Sequence, residues 1–314
     1  MWVTLAMATF AGGSAVAAEP SKALYLDTIE TYPAPTLEKV SGREYKFLID
    51  AAKTRPAMDE AFRDLWTQVK SAAARRGFMV TEKKKRPLKI ETLTKEYLDT
   101  SDQALWNNGY LVRITTRYRN GKPDSTVSVT VKSIHEDALR ALAAPLSVVG
   151  VGKVRTEAQE NVGFGPGGRL GGYVEKGASF TVPRDTLGER TLGDFGKYMP
   201  ELLRLGLPAD TRLLGKNAFS YRIKPGAVVL PGTEPCGIEM EAWSATEGGA
   251  PFVYDFAFSC GGLDFYANGE IHVAGEQFMI KVMQGELGGL AGADGEKWGG
   301  SKVRKLMNRP ISVK

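Results

Sequence analysis

The 314 residues are 43% hydrophobic and 25% charged, which excludes wholesale disorder and leaves room for one large or two medium domains with a real core. The formal net charge of +5 is a mild excess, compatible with an acidic ligand and equally with scattered surface lysine. Beyond the first residues no apolar run reaches the roughly 18 residues needed to span a bilayer, so no membrane span is expected in the mature chain.

In chain order, Trp2 to Ala11 form an uncharged, mostly apolar run. Gly12, Gly13 and Ser14 follow, then Ala15-Val16-Ala17-Ala18-Glu19-Pro20. This is the layout of a leader's apolar core and small-residue cleavage site, although no Lys or Arg precedes it. The expectation is a signal peptide over 1–18, a linker over 19–38 and export to the periplasm or medium. In that setting Cys236 and Cys260 either pair or stay as buried thiols.

Residues 40–49 read as a strand, with Tyr45, Phe47 and Ile49 on one face and Glu44, Lys46 and Leu48 on the other. Met58, Phe62, Leu65 and Val69 recur at helical spacing, with Pro56 before them and Gly77 to stop the helix. The basic run 82–87 reads as a solvated loop. It has no interleaved aromatics and no recognition motif, so no nucleic-acid partner is expected. Residues 90–98 look extended. Asp99 to Asp102 offer capping groups for a short helix ending before Gly109. Residues 111–118 and 126–132 then form a strand pair around the Asn120-Gly121 turn. Further on, the pattern predicts a helix beyond His135 to about 142, a strand over 154–161 and a helix over 191–205. Strands over 219–230, 237–244 and 252–259 and a basic helix over 301–308 complete it. Gly163 to Gly168 match GxGxxG formally, but Pro166 sits inside the match and no helix follows, so it reads as a loop.

The chemistry lies on the strand faces. Arg113, Thr115 and Arg117 share one face of their strand, and Thr126, Ser128, Thr130 and Lys132 share one face of the next. The opposite faces carry Ile114, Val127, Val129 and Val131. A face lined with Arg, Lys, Thr and Ser must meet water or a polar cavity, because unpaired buried charge is costly. Two other strands carry carboxylates: Glu44 beside Lys46, and Glu239 beside Glu241. Carboxylates at i and i+2 project side by side and can hold a hard cation. Cationic strands with carboxylate strands supply both halves of a metal–phosphate site. His135 and His272 have no ligand spacing, and no G-x-S-x-G elbow occurs.

In Arg43-Glu44-Tyr45-Lys46-Phe47, Tyr97-Leu98-Asp99-Thr100-Ser101-Asp102, Gly109-Tyr110-Leu111-Val112-Arg113-Ile114 and Thr130-Val131-Lys132, the chain resembles the CYTH domains. These are the triphosphate tunnel metalloenzymes of the adenylate cyclase and thiamine-triphosphatase branches, related to polyphosphate-polymerase domains. The resemblance extends to Tyr221-Arg222, Glu239, Glu241 and Lys302. It implies an α+β fold, a single tunnel domain over 39–314 built as an antiparallel eight-stranded β barrel with flanking helices. It also implies catalytic roles for Lys46, Arg113 and Lys132, substrate contacts from Arg117, Arg222 and Lys302, and Mg²⁺ or Mn²⁺ held by Glu44, Glu239 and Glu241. The ligand it implies is polyphosphate or an organic triphosphate. The chain departs from the family twice. Gly42 stands where the opening E-x-E-x-K motif has its first Glu, and Thr115 stands at the second place of Arg-x-Arg, with Arg117 one pleat further on. Two readings therefore stand side by side: a metal-dependent triphosphatase, and a polyanion-binding tunnel without turnover. A β barrel with a polar interior for another ligand is the third.

Overall fold

The computed structural model describes residues 40–134, 138–164, 168, 170–261, 269–292 and 302–307. The expected leader, the linker and His135 lie outside them.

A closed barrel dominates. Its strands are β1 (Gly42–Ile49), β3 (Glu91–Asp99), β4 (Tyr110–Arg119), β6 (Thr126–Ile134), β7 (Val154–Phe164), β8 (Leu170–Pro183), β9 (Leu214–Ile223), β11 (Cys236–Ser244) and β12 (Pro251–Gly261). They pair in the order β12-β1-β7-β8-β6-β4-β3-β9-β11, and β11 closes the ring on β12. Short strands β2 (Met79–Glu82) and β10 (Gly226–Val229) extend β11 outward, and β5 (Lys122–Pro123) pairs with β4.

The barrel therefore differs from the expected eight antiparallel strands. Nine strands close it, and β1 runs parallel to β7. Antiparallel neighbours alternate in direction, and an odd ring cannot complete that alternation, so one parallel seam is required.

Alternation along each strand divides the wall. The outer face is apolar and covered on two sides. On one side Tyr45, Phe47, Ile49, Phe256 and Phe258 pack on helix α1 (Met58–Arg75) and on Phe278 and Met279. Helix α1 forms where sequence spacing predicts it. It buries Phe62, Leu65, Trp66 and Val69, each contributing roughly 1.5–3 kcal/mol by leaving water. Gly77, at φ +75°, lets the chain turn back so that the Phe78 amide donates to the Ala73 carbonyl at 2.9 Å. On the other side Val112, Ile114, Val129, Phe180 and Val182 pack on Leu192, Phe195 and Leu202.

Two expectations shift, and two elements appear where none was expected. The helix predicted over 191–205 is a capped turn (Leu192–Gly196) followed by a 3₁₀ segment (Pro200–Leu205). Pro200 forces Met199 out of the helical region, to φ −133° and ψ 81°. The strand predicted over 219–230 begins at Leu214 and breaks at Lys224-Pro225 into β9 and β10. Strand β8 was not predicted: its Gly171, Gly172 and Gly177 dilute the β signal. The helix Gly269–Phe278, continued by a π-helical segment Met279–Gln284, was not predicted either.

The two cysteines form a disulfide, with Cα atoms 4.6 Å apart. It staples β11 to β12, the pair that closes the ring. Among the described residues no helix is long and apolar enough to cross a membrane.

Candidate functional site: a polar tunnel

The inner face of the barrel encloses a cavity of about 820 Å³. Register places its side chains in rows. Arg113 of β4 faces Tyr97 of β3 and Thr130 of β6. Lys132 faces Gly177 of β8, which leaves room for the lysine stem. Glu44 faces Asn161 of β7, and Glu241 faces Asp255 of β12. One end of the interior is apolar: Leu48, Tyr97, Leu111, Trp243 and Val253 meet Leu306 of the last described helix, Lys302–Met307.

Strand β3 leads into the short helix Ala104–Asn107 through a carboxylate cap. Asp99 accepts the amides of Thr100 and Leu105 at 2.8 Å and of Trp106 at 3.0 Å. Gly109, at φ +77°, turns the chain into β4 and so sets the pleat on which Arg113 faces inward.

Of the residues singled out in sequence, Lys46, Arg113, Lys132, Lys302, Glu44, Glu239 and Glu241 all line the cavity. Arg117 and Arg222 do not. Arg117 is exposed at the tunnel end. Arg222 is held by Glu91 at 2.7 Å and lies 3.4 Å from Glu239.

Most charges inside are paired. Lys46 Nζ lies 2.8 Å from Glu44 Oε2 and donates to Asn161 Oδ1 at 2.6 Å. Lys132 donates to Glu175. Lys95 and Ser220 donate to Glu241 Oε1, and Lys302 donates to both Glu241 Oε2 and Asp255 Oδ2. Burial raises the Glu241 pKa, but the pull of Lys302 and Lys95 overrides it and holds that carboxyl well below its ordinary value. The same lysines fare differently. Burial, together with nearby Lys302 and Arg113, pushes Lys95 down to about 8 despite Glu241. Lys302 is desolvated too, yet two carboxylates raise it. Asp255 is raised, chiefly by burial.

Arg113 is the exception. Among the described residues it has no carboxylate partner. Nη2 donates to Thr130 Oγ1 at 3.4 Å, and Nε is buried without an acceptor. The wall holds further donors without partners, Asn161 Nδ2 and Trp243 Nε1, and the Thr115 hydroxyl, which can donate or accept, is unpartnered as well. Against them stands one unpartnered carboxylate oxygen, Asp255 Oδ1. The interior is thus short of acceptors. Seven basic and six acidic side chains line the cavity, so the surplus is local to β4 rather than spread through the tunnel.

The three carboxylates expected to hold a metal do not converge. Glu44 is engaged by Lys46 and by Gln159 at 3.1 Å, Glu239 by Arg222 and Lys224 at 3.4 and 3.5 Å, and Glu241 by two lysines and a serine. Among the described residues no group of three His, Cys, Asp or Glu side chains is arranged to hold a metal ion. As paired here, this donor set does not fit a divalent ion.

Sequence reasoning missed Lys95, Glu175 and Asp255. Lys95 shares a face with Leu93 and Tyr97 in a segment already read as extended. Asp255 is a lone charge inside Phe252-Val253-Tyr254-Asp255-Phe256-Ala257-Phe258, a signal of a buried functional or paired group. Glu175 lay in the unrecognised β8.

No family model matches the chain, and no curated protein matches it. Solved structures do. A candidate adenylyl cyclase from Hippeastrum, described as having a dominant triphosphatase activity, aligns over 86% of this chain and 98% of its own, at 10% identity and TM-score 0.42. A candidate adenylate cyclase from Bacillus halodurans aligns over 86% and 100%, at 11% identity and TM-score 0.40. The PH1819 protein from Pyrococcus horikoshii aligns over 76% and 89%, at 13% identity and TM-score 0.29. Likeness at this level adds nothing to the case for a ligand, which rests on the tunnel's own geometry.

Proposed function

We propose that this chain is a CYTH-like tunnel protein that binds a polyanion of the inorganic polyphosphate or organic triphosphate type inside its barrel. The observation that carries the reading is Arg113: a cavity-facing guanidinium without a carboxylate in contact, on a wall whose unpartnered buried polar atoms are mostly donors. Buried donors without acceptors are costly. A phosphate chain offers only acceptors and negative charge, so it complements that wall, and the planar fork of the Arg113 guanidinium can engage two phosphoryl oxygens. Lys132 on the adjacent strand β6, and Lys46 further round the barrel on β1, stand ready once phosphate oxygens compete with Glu175 and Glu44 for them.

Hydrolysis with Mg²⁺ or Mn²⁺ is the activity that the sequence resemblance implies. In a metal-loaded tunnel the ion would polarise a phosphoryl oxygen or activate water. The residues named for that ion, Glu44, Glu239 and Glu241, are each committed to a cation, so binding is the reading the geometry supports best. Thermal unfolding with added tripolyphosphate tests it. Stabilisation is expected in the wild type and should be much reduced in Lys132→Ala and Arg113→Ala; unchanged melting at millimolar tripolyphosphate would sink it.

Export to the periplasm or medium belongs to the same proposal. The disulfide between Cys236 and Cys260 supports it, since such bonds persist in oxidising compartments. Fractionation of a tagged chain, with intact mass reporting removal of residues 1–18, checks it.

A further inference from the structure

The mispairing of the expected metal ligands has its own logic, centred on Glu241 and Asp255. These two carboxylates face each other across β11 and β12. They are 1% and 3% exposed, so they need positive charge from within the fold. Lys302 supplies it by bridging them, one ammonium donating to an oxygen of each. Lys95 takes the other oxygen of Glu241 together with Ser220. The Trp243 ring backs both ammonium groups, its centroid 5.3 Å from Lys95 Nζ and 5.5 Å from Lys302 Nζ, and holds them against the carboxylates. Two ammonium groups thus balance two carboxylates, which is the charge a single divalent ion would contribute in the same place. A divalent ion entering there would meet both ammonium groups at close range, and their repulsion would oppose it. At Gly42, where the resembling family has another carboxylate, an added Cβ would sit 3.0 Å from the Cys260 carbonyl oxygen, a tight contact that would need a few tenths of an ångström of adjustment.

We propose that Lys302, seconded by Lys95, occupies the cation position of this tunnel, so that polyanion binding needs no divalent metal. The inference rests on the polyanion-binding reading above. It makes the helix Lys302–Met307 part of the site, since that helix carries the bridging ammonium. It also sets the ligand's form: the metal-free polyanion is preferred, because a chelated divalent ion would bring positive charge towards Lys302.

Two measurements on the full chain test it. The first is Mn²⁺ binding followed by electron paramagnetic resonance without any phosphate. The wild type should take up no Mn²⁺ at micromolar concentrations, and Lys302→Ala should gain a site that a further Glu241→Gln change removes. Lys302→Arg should behave as wild type. A wild-type Mn²⁺ site lost in Glu241→Gln would overturn the proposal, as would a folded Lys302→Ala that gains none. The second is calorimetric titration of tripolyphosphate in EDTA and in excess Mg²⁺. The expected affinity in EDTA equals or exceeds that in Mg²⁺. A tenfold or greater loss on chelation would overturn the proposal while leaving polyanion binding intact. No binding in either buffer would overturn the binding reading instead, and the Mn²⁺ measurement on the wild type would still decide the role of Lys302.

Discussion

The two faces of β1 carry charge in opposite ways. Outward, Arg43 is 3% exposed and sealed by Glu160 at 2.6 Å, Glu276 at 3.2 Å and Tyr45 at 3.3 Å. Inward, Glu44 and Lys46 pair with each other on a cavity wall that also carries Arg113 without a carboxylate in contact. Both clusters are desolvated. Charge burial alone therefore does not mark a binding site, since a closed ion network does the same structural job. What separates the tunnel is an open volume and a charged donor, Arg113 Nε, left without an acceptor. The outer cluster should be inert to ligand, and the inner one should respond to it.

The largest effects should come from removing one carboxylate on each face. Glu160→Ala and Glu241→Ala each strand buried cationic groups, and each should lower unfolding stability by about 3–5 kcal/mol, read from urea midpoints. Tripolyphosphate should then distinguish them. It should stabilise Glu241→Ala more than the wild type, because phosphate oxygens replace the lost partner of Lys95 and Lys302. It should do no more for Glu160→Ala than for the wild type. Equal rescue of both variants would erase the contrast.

Next in size is the disulfide. Its cysteines are 24 residues apart, so replacing both by Ala should cost about 3 kcal/mol through the freer unfolded chain. The bond lies on the closing pair of the barrel, at the tunnel end away from Trp243. Tripolyphosphate affinity should therefore change by less than about threefold once the variant is folded.

Smaller effects belong to individual tunnel cations. Lys132→Ala should weaken tripolyphosphate binding about tenfold to a hundredfold, the range of a charge-assisted hydrogen bond worth about 1.5–3 kcal/mol. Arg43→Met should leave affinity unchanged in whatever fraction remains folded.

The smallest effect is on pH dependence. Lys95, held at about 8 by burial and by nearby Lys302 and Arg113 against Glu241 and Glu239, loses its proton as pH rises through that value. Below it the site keeps that positive charge and above it the charge is lost, so polyanion affinity falls above pH 8 by at most about tenfold per pH unit. Stability runs the other way. Between about 8 and the ordinary lysine value the unfolded chain binds the extra proton, so folding is favoured as pH rises. Lys95→Met should flatten both trends relative to the wild type, and matched slopes in the two proteins would refute this role.

Much of this was legible in the sequence. The alternation of Glu44, Lys46 and Leu48 against Tyr45, Phe47 and Ile49 correctly divides β1 between tunnel and core, and the Arg113–Lys132 pair falls on the inner face as its strand spacing requires. The disulfide was one of two open alternatives. The rest depended on tertiary partners. Arg43 reads as a surface charge beside a tunnel motif, and only Glu160 and Glu276, more than a hundred residues away, make its burial tolerable. Local pattern also cannot reveal that Glu241 and Asp255 share Lys302, because register across β11 and β12 and the placement of a distant helix create that contact. The ninth strand was hidden because β8 is rich in glycine where a strand signal needs branched side chains.

The most direct test of the tunnel reading is a calorimetric titration of tripolyphosphate into the wild type and Arg113→Met. One ligand per chain is predicted for the wild type, with affinity at least tenfold weaker in the variant and no loss of thermal stability in its absence. No measurable binding to the wild type, or equal affinity in the two proteins, would contradict it.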